Sequence, residues 1–133
     1  MTTIVTDTGF SQNDWTLGFT PLGAANDAPA LDVPSHAQLD DIAFSPSTRM
    51  IRIDFPSFAD GRGFTLARGL RLRGYTGHLR AHGHVISDQY AMARRSGFDD
   101  VEISNDLAAR QPESDWKSRA DWSANDYQAR MRG

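Results

Sequence analysis

The run Phe58-Ala59-Asp60-Gly61-Arg62-Gly63-Phe64 places two glycines and an arginine where an apolar, strand-like stretch gives way to a helical pattern. Glycines let a backbone approach a ligand closely, the first turn of a helix offers unpaired amides, and Arg62 can add a bidentate contact to sulfite, sulfate, phosphate or carboxylate. The plainer reading is a tight turn in which Asp60 hydrogen-bonds the turn's own backbone. The run is not a good dinucleotide fingerprint, because Leu66 stands where its third glycine belongs, and the lysine of a phosphate-binding loop is missing.

Asp88 and Gln89 open a second helical pattern after a second strand, at the end of the sheet where ligands of open α/β folds bind. With Asp60, Arg62 and His84 they outline one expected crevice, although capping is the commoner use of an aspartate at such a position. Arg80 lies on the intervening strand, in alternation with His78, His82 and His84. An extended strand would turn all three imidazoles to one side, yet about 6.6 Å or more between successive ones is too far to share an ion, and no metal site is expected. Arg68 and Arg71 share a helix face with Phe64, which suits either solvent or an acidic protein partner. The anion- or partner-binding candidates are therefore Asp60, Gly61, Arg62, Gly63, Arg68, Arg80, Asp88 and Gln89. No nucleophile is identifiable: the chain has no cysteine and no Gly-x-Ser-x-Gly elbow, and its one lysine is Lys117.

The elements that must position these residues lie between residues 49 and 104. Met50-Ile51-Arg52-Ile53-Asp54-Phe55 reads as a strand ended by Pro56, Gly63 to Arg73 as a helix closed by Gly74, and Gly77 to Gly83 as a second strand. A helix from Ser87 to Gly97 and a strand over 98–103 follow. This order predicts an α/β fold, a small parallel βαβαβ unit of three strands. Residues 1–48, rich in Gly, Pro, Ser, Asn and Asp, read as an irregular arm with one or two edge strands, and 105–133 as a C-terminal tail anchored by Trp116, Trp122 and Tyr127. At 133 residues the chain reads as a single domain. A parallel sheet needs cover on both faces, so the arm, the tail or a second subunit in a homodimer is expected to supply it.

Charge is segregated. Residues 1–48 hold six aspartates and no Lys or Arg, whereas residues 49–95 hold nine arginines against three acids. Such a centre binds an anion or an acidic protein, or is covered by its own acidic arm. Nucleic acid is not expected at a sequence pI near 5.7. Without cysteine the chain cannot itself hold a disulfide or a thiolate-bound cluster, and no cofactor is expected. With no apolar run long enough for a bilayer and no leader pattern, no membrane contact is expected and the cytoplasm is the expected location.

The stretch from Phe55 to Arg68, followed by Gly77-His78-Leu79-Arg80-Ala81-His82-Gly83, Ser87-Asp88-Gln89 and Arg95-Ser96-Gly97-Phe98-Asp99, resembles the bacterial family called domain of unknown function 934. Asp126-Tyr127-Gln128 is similar to a Tyr-Gln near the family's C-terminus. His84 stands where the family pattern would have an acidic residue, and the arm is less like the family. The resemblance implies an accessory protein or oxidoreductase of assimilatory sulfite reduction, with sulfite reductase or its electron donor as partner. An oxyanion-binding protein or small enzyme built on the Asp60 to Phe64 turn is the alternative.

Overall fold

The computed structural model describes residues 2–23 and 28–120. Seven strands form one sheet: β1 (Thr2–Thr6), β2 (Gly9–Gln12), β3 (Thr20–Pro21), β4 (Ala30–Val33), β5 (Met50–Phe55), β6 (His78–Gly83) and β7 (Asp100–Ser104). Helix α1 (Arg62–Leu72) connects β5 to β6, and α2 (Tyr90–Ser96), entered through a 3₁₀ turn at Ser87–Gln89, connects β6 to β7. Two short helices follow, α3 (Asn105–Arg110) and α4 (Glu113–Lys117). The strand order is β2-β1-β7-β6-β5-β4-β3, parallel from β3 to β7 and antiparallel where β1 meets β7 and β2.

The sheet is therefore larger than the three strands expected, and the arm is not irregular. Residues 1–48 contribute four of the seven strands. β4 lies between Pro29 and Pro34 and pairs with β5 in register, Leu31 opposite Ile51 and Val33 opposite Ile53. Trp122 and Tyr127, the other expected anchors of the tail, lie outside the described residues, but Trp116 is fully buried.

Alternation sorts the two faces. Leu31, Val33, Ile51, Ile53, Phe55, Leu79, Ala81, Val101, Ile103 and Val5 face the helices and form one core with Leu66, Leu70, Tyr90 and Phe98. Gly63 sits so close to the Phe55 ring that an added Cβ would lie 2.5 Å from its Cζ. The glycine thus serves helix-on-strand packing. On the opposite face the same strands carry Asp32, Arg52, Asp54, His78, Arg80, His82, Asp100 and Glu102, an ionic layer instead of an apolar one.

Residues 13–19 cover that layer. They link β2 and β3, which are the two opposite edges of the sheet. Six strand spacings come to roughly 29 Å, and the eight residue steps from Gln12 to Thr20 reach about 26–29 Å when extended. The segment has little slack and must run across the face. Phe19 stacks on the Arg52 guanidinium at 3.8 Å, and Arg49 lies 5.8 Å from the Trp15 ring centroid. Cover by the arm, one of the expected solutions, is thus supplied by two aromatics over two arginines.

Candidate functional site

Three aspartates of the acidic arm pair with arginines of the basic centre. Asp32 pairs with Arg52 at 2.7 Å, Asp7 with Arg94 at 3.1 Å, and Asp40 with Arg73. Arg71 reaches the carbonyl oxygens of Tyr75, Gly77 and Gly97 and the Asp99 carboxylate, so it ties α1 to the loops that flank β6 and β7. Of the expected pair, only Arg68 is left exposed, and it makes no hydrogen bond or ion pair among the described residues.

At the glycine turn, Asp60 accepts from the Arg62 backbone N–H at 3.1 Å, from its Nε at 3.0 Å and from its Nη2 at 2.8 Å, and Arg62 also donates to Ser35 Oγ. These side-chain and backbone hydrogen bonds from Arg62 hold the Asp60 carboxyl well below the usual carboxylate range. The turn takes the plainer of its two expected forms. A Cβ added at Gly61 would make only an ordinary van der Waals contact, 3.9 Å from Phe64 Cδ2, and Gly63 is spoken for by Phe55.

Arg80 stands far from that turn in role as well as in place. It is buried at 4% exposure and donates to both Asp100 oxygens, at 3.0 and 3.2 Å, while Asn13 covers it from the crossing segment. A ligand in solvent does not reach it. Asp88 pairs with Arg119 at 2.7 Å and caps nothing. Gln89 does the capping instead: its Oε1 accepts from the Ile86 N–H, and its Nε2 donates to the Phe58 carbonyl. The expected convergence of Asp60, Arg62, His84, Asp88 and Gln89 is thereby divided, with only His84 and Gln89 meeting at the Phe58 turn.

The three histidines also part company. His78 bonds Asp100 at 2.9 Å, and His82 lies between Asp54 and Glu102, its two nitrogens 3.6 and 3.7 Å from their oxygens. Gly83, at φ +115, then breaks the alternation and turns His84 back over the end of β5. Among the described residues no group of three or more His, Cys, Asp or Glu is placed to hold a metal ion. Gly83→Ala is expected to destabilise the protein by about 2–4 kcal/mol, because the backbone is strained for any L side chain and the new Cβ would sit 2.7 Å from the Phe55 carbonyl oxygen. A urea melt within 0.5 kcal/mol of wild type, on the order of an ordinary surface change, would contradict this.

Two cavities open at the carboxyl ends of the parallel strands, on either side of His82. The larger, about 640 Å³, is lined by Asp32, Asp54, His82 and His36 with Leu22 and Val33. It offers carboxylates and imidazoles beside an apolar wall, a set suited to proton transfer or to a cationic ligand. The smaller, about 250 Å³, brings His82 and His84 together with Ser104 and Arg110. Asp54, Glu102 and Arg110 were not among the sequence candidates. Strand register carries the first two to His82, and α3 carries the third.

This is a mixed α/β protein with a mostly parallel seven-stranded sheet, whose cavities lie at the carboxyl edge of its strands. The chain belongs to the family of bacterial proteins of unknown function DUF934, whose pattern it matches over residues 30–133. Comparison with curated proteins and with solved structures gave no match. No helix among the described residues is long and apolar enough to cross a membrane.

Proposed function

We propose that the chain is an accessory protein of assimilatory sulfite reduction that acts by docking on a protein partner, sulfite reductase or its electron donor. The observation that carries this reading is the outward surface of α1 and α2. Leu72 is 81% exposed and Met92 54% exposed, on helices whose other apolar residues are buried or half-buried. Arg68, one turn before Leu72, adds an exposed guanidinium without a partner among the described residues, and arginine beside apolar anchors is the usual composition of a binding surface. The turn at Asp60 to Phe64 supports an oxyanion reading less well, since its guanidinium already holds a carboxylate.

A tagged protein recovered from bacteria grown on sulfate is expected to bring sulfite reductase or its electron donor with it. The double variant Leu72→Asp, Met92→Asp should recover at least about tenfold less, the loss expected of an apolar anchor worth 1.4 kcal/mol or more. Recovery of neither protein by the wild type, or equal recovery by the variant, counts against docking through this face.

A further inference from the structure

We infer that the small pocket between the end of β6 and α3 binds an oxyanion that still carries a proton, such as hydrogen phosphate or hydrogen sulfite. This does not rest on the docking reading, which concerns the outer helical surface. The pocket's roughly 250 Å³ is about eight water volumes at ~30 Å³ each, room for an ion of four or five heavy atoms with a few waters, or for a small monoester.

Among the described residues its one guanidinium has no partner. Arg110 lines the pocket and makes no hydrogen bond or ion pair among the described residues, not even with Asp106 one turn earlier on α3. A guanidinium in that state is a ready donor pair for two anionic oxygens. The carboxylates nearest the pocket do not oppose it. Glu102, beneath His82, accepts from Arg52 at 3.1 and 3.2 Å and lies 3.7 Å from Arg80. Asp54 lines the larger cavity on the far side of the same imidazole.

The proton requirement comes from His84. The Phe55 carbonyl oxygen accepts from the His84 backbone N–H at 2.9 Å and faces its Nδ1 at 3.2 Å. A carbonyl oxygen only accepts, so Nδ1 carries the hydrogen, and the Nδ1–H tautomer leaves Nε2 its lone pair. The ring is held there by Gly83, whose positive φ brings it back over β5, and by the edge of Phe58 at 5.2 Å. One wall of the pocket therefore donates and another accepts. A hydrogen phosphate satisfies both, with its charged oxygens on Arg110 and its O–H on Nε2. Sulfate, which has no O–H at neutral pH, meets a lone pair with a lone pair and leaves Nε2 unpaired.

Isothermal titration of the full chain near neutral pH with phosphate, sulfite, sulfate and glycerol phosphate tests this. Saturable heat is expected with phosphate and sulfite, with sulfate at least about tenfold weaker. Glycerol phosphate, a monoester that near neutral pH is mostly the dianion with no O–H on phosphorus, should bind more weakly than phosphate, and binding as tight as phosphate would overturn the proton requirement. Arg110→Ala should weaken phosphate at least about tenfold while leaving the thermal melt unchanged, since Arg110 is exposed and makes no ion pair or hydrogen bond among the described residues. His84→Ala should bring phosphate and sulfate to within about twofold of each other. Equal affinity of wild type for phosphate and sulfate, no saturable heat with phosphate or sulfite, or an Arg110→Ala protein that binds phosphate normally would each overturn the inference.

Discussion

Replacing Arg80 with methionine is expected to cost the fold about 3–5 kcal/mol, read as a lower urea midpoint at neutral pH. Arg80 and Asp100 have side chains only 5% and 6% exposed and lie against each other in neighbouring strands. Methionine fills much of the arginine's volume but leaves a buried carboxylate with His78 as its remaining hydrogen-bond partner. Burial alone would push the Asp100 carboxyl up; hydrogen bonds from His78 and Arg80, and their charges, outweigh it and hold it below the usual range. Because the folded pKa is depressed, this contribution is complete above the unfolded value of about 3.9 and is lost as pH falls through the lower folded value. Wild type should therefore lose stability below about pH 4, and Arg80→Met should lose less of it there, having less to lose. The double variant Arg80→Met, Asp100→Leu removes the stranded charge and should recover most of the deficit. A single variant as stable as wild type, or a double variant no better than the single, would show that the ionic layer contributes little.

That layer marks the boundary between what sequence periodicity shows and what it hides. Met50–Phe55 was readable to the residue, because Ile51, Ile53 and Phe55 alternate with polar neighbours and Pro56 closes the run. The helices around Leu66 and Tyr90 followed from spacing and from Gly74 and Gly97, both at positive φ. The arm was harder. β1 is Thr-Thr-Ile-Val-Thr, a wholly β-prone run that could have been found, but β3 is two residues ending in a proline and exists only because β4 lies beside it. Arg80 looked exposed because charged residues on alternating positions usually face water. Here parallel register sets it beside Asp100, and residues 13–19, from a distant part of the chain, close over it. His84 is a failure of the alternation rule at a single glycine. Arg110 carried no local signal at all, since its meaning depends on where α3 folds back.

Trp116→Ala should be the most damaging change outside the sheet, at about 3–5 kcal/mol. Trp116 is fully buried although it lies in a five-residue helix far too short to persist by itself. Its ring meets Tyr90 edge-on at 6.1 Å, and its Nε1–H donates to the Gln111 carbonyl at 2.9 Å. Around that anchor the segment is stitched down by polar bonds: Gln111 Oε1 accepts from the Ser87 N–H and hydroxyl, and Glu113 accepts from the Phe10 N–H at the sheet edge. Each is worth roughly 1 kcal/mol, too little to order α3 and α4 without the apolar anchor. Truncation should therefore release them together, and hydrogen exchange should show the Ser87 and Phe10 amides losing protection while Ile51 and Leu79 keep theirs. Trp116→Phe keeps the ring contact but leaves the Gln111 carbonyl unpaired, and should cost less than half as much. Since α3 carries Arg110, Trp116→Ala should also weaken phosphate binding without touching the pocket. A variant that loses protection at Ser87 yet binds phosphate like wild type would separate the two and place the oxyanion site elsewhere.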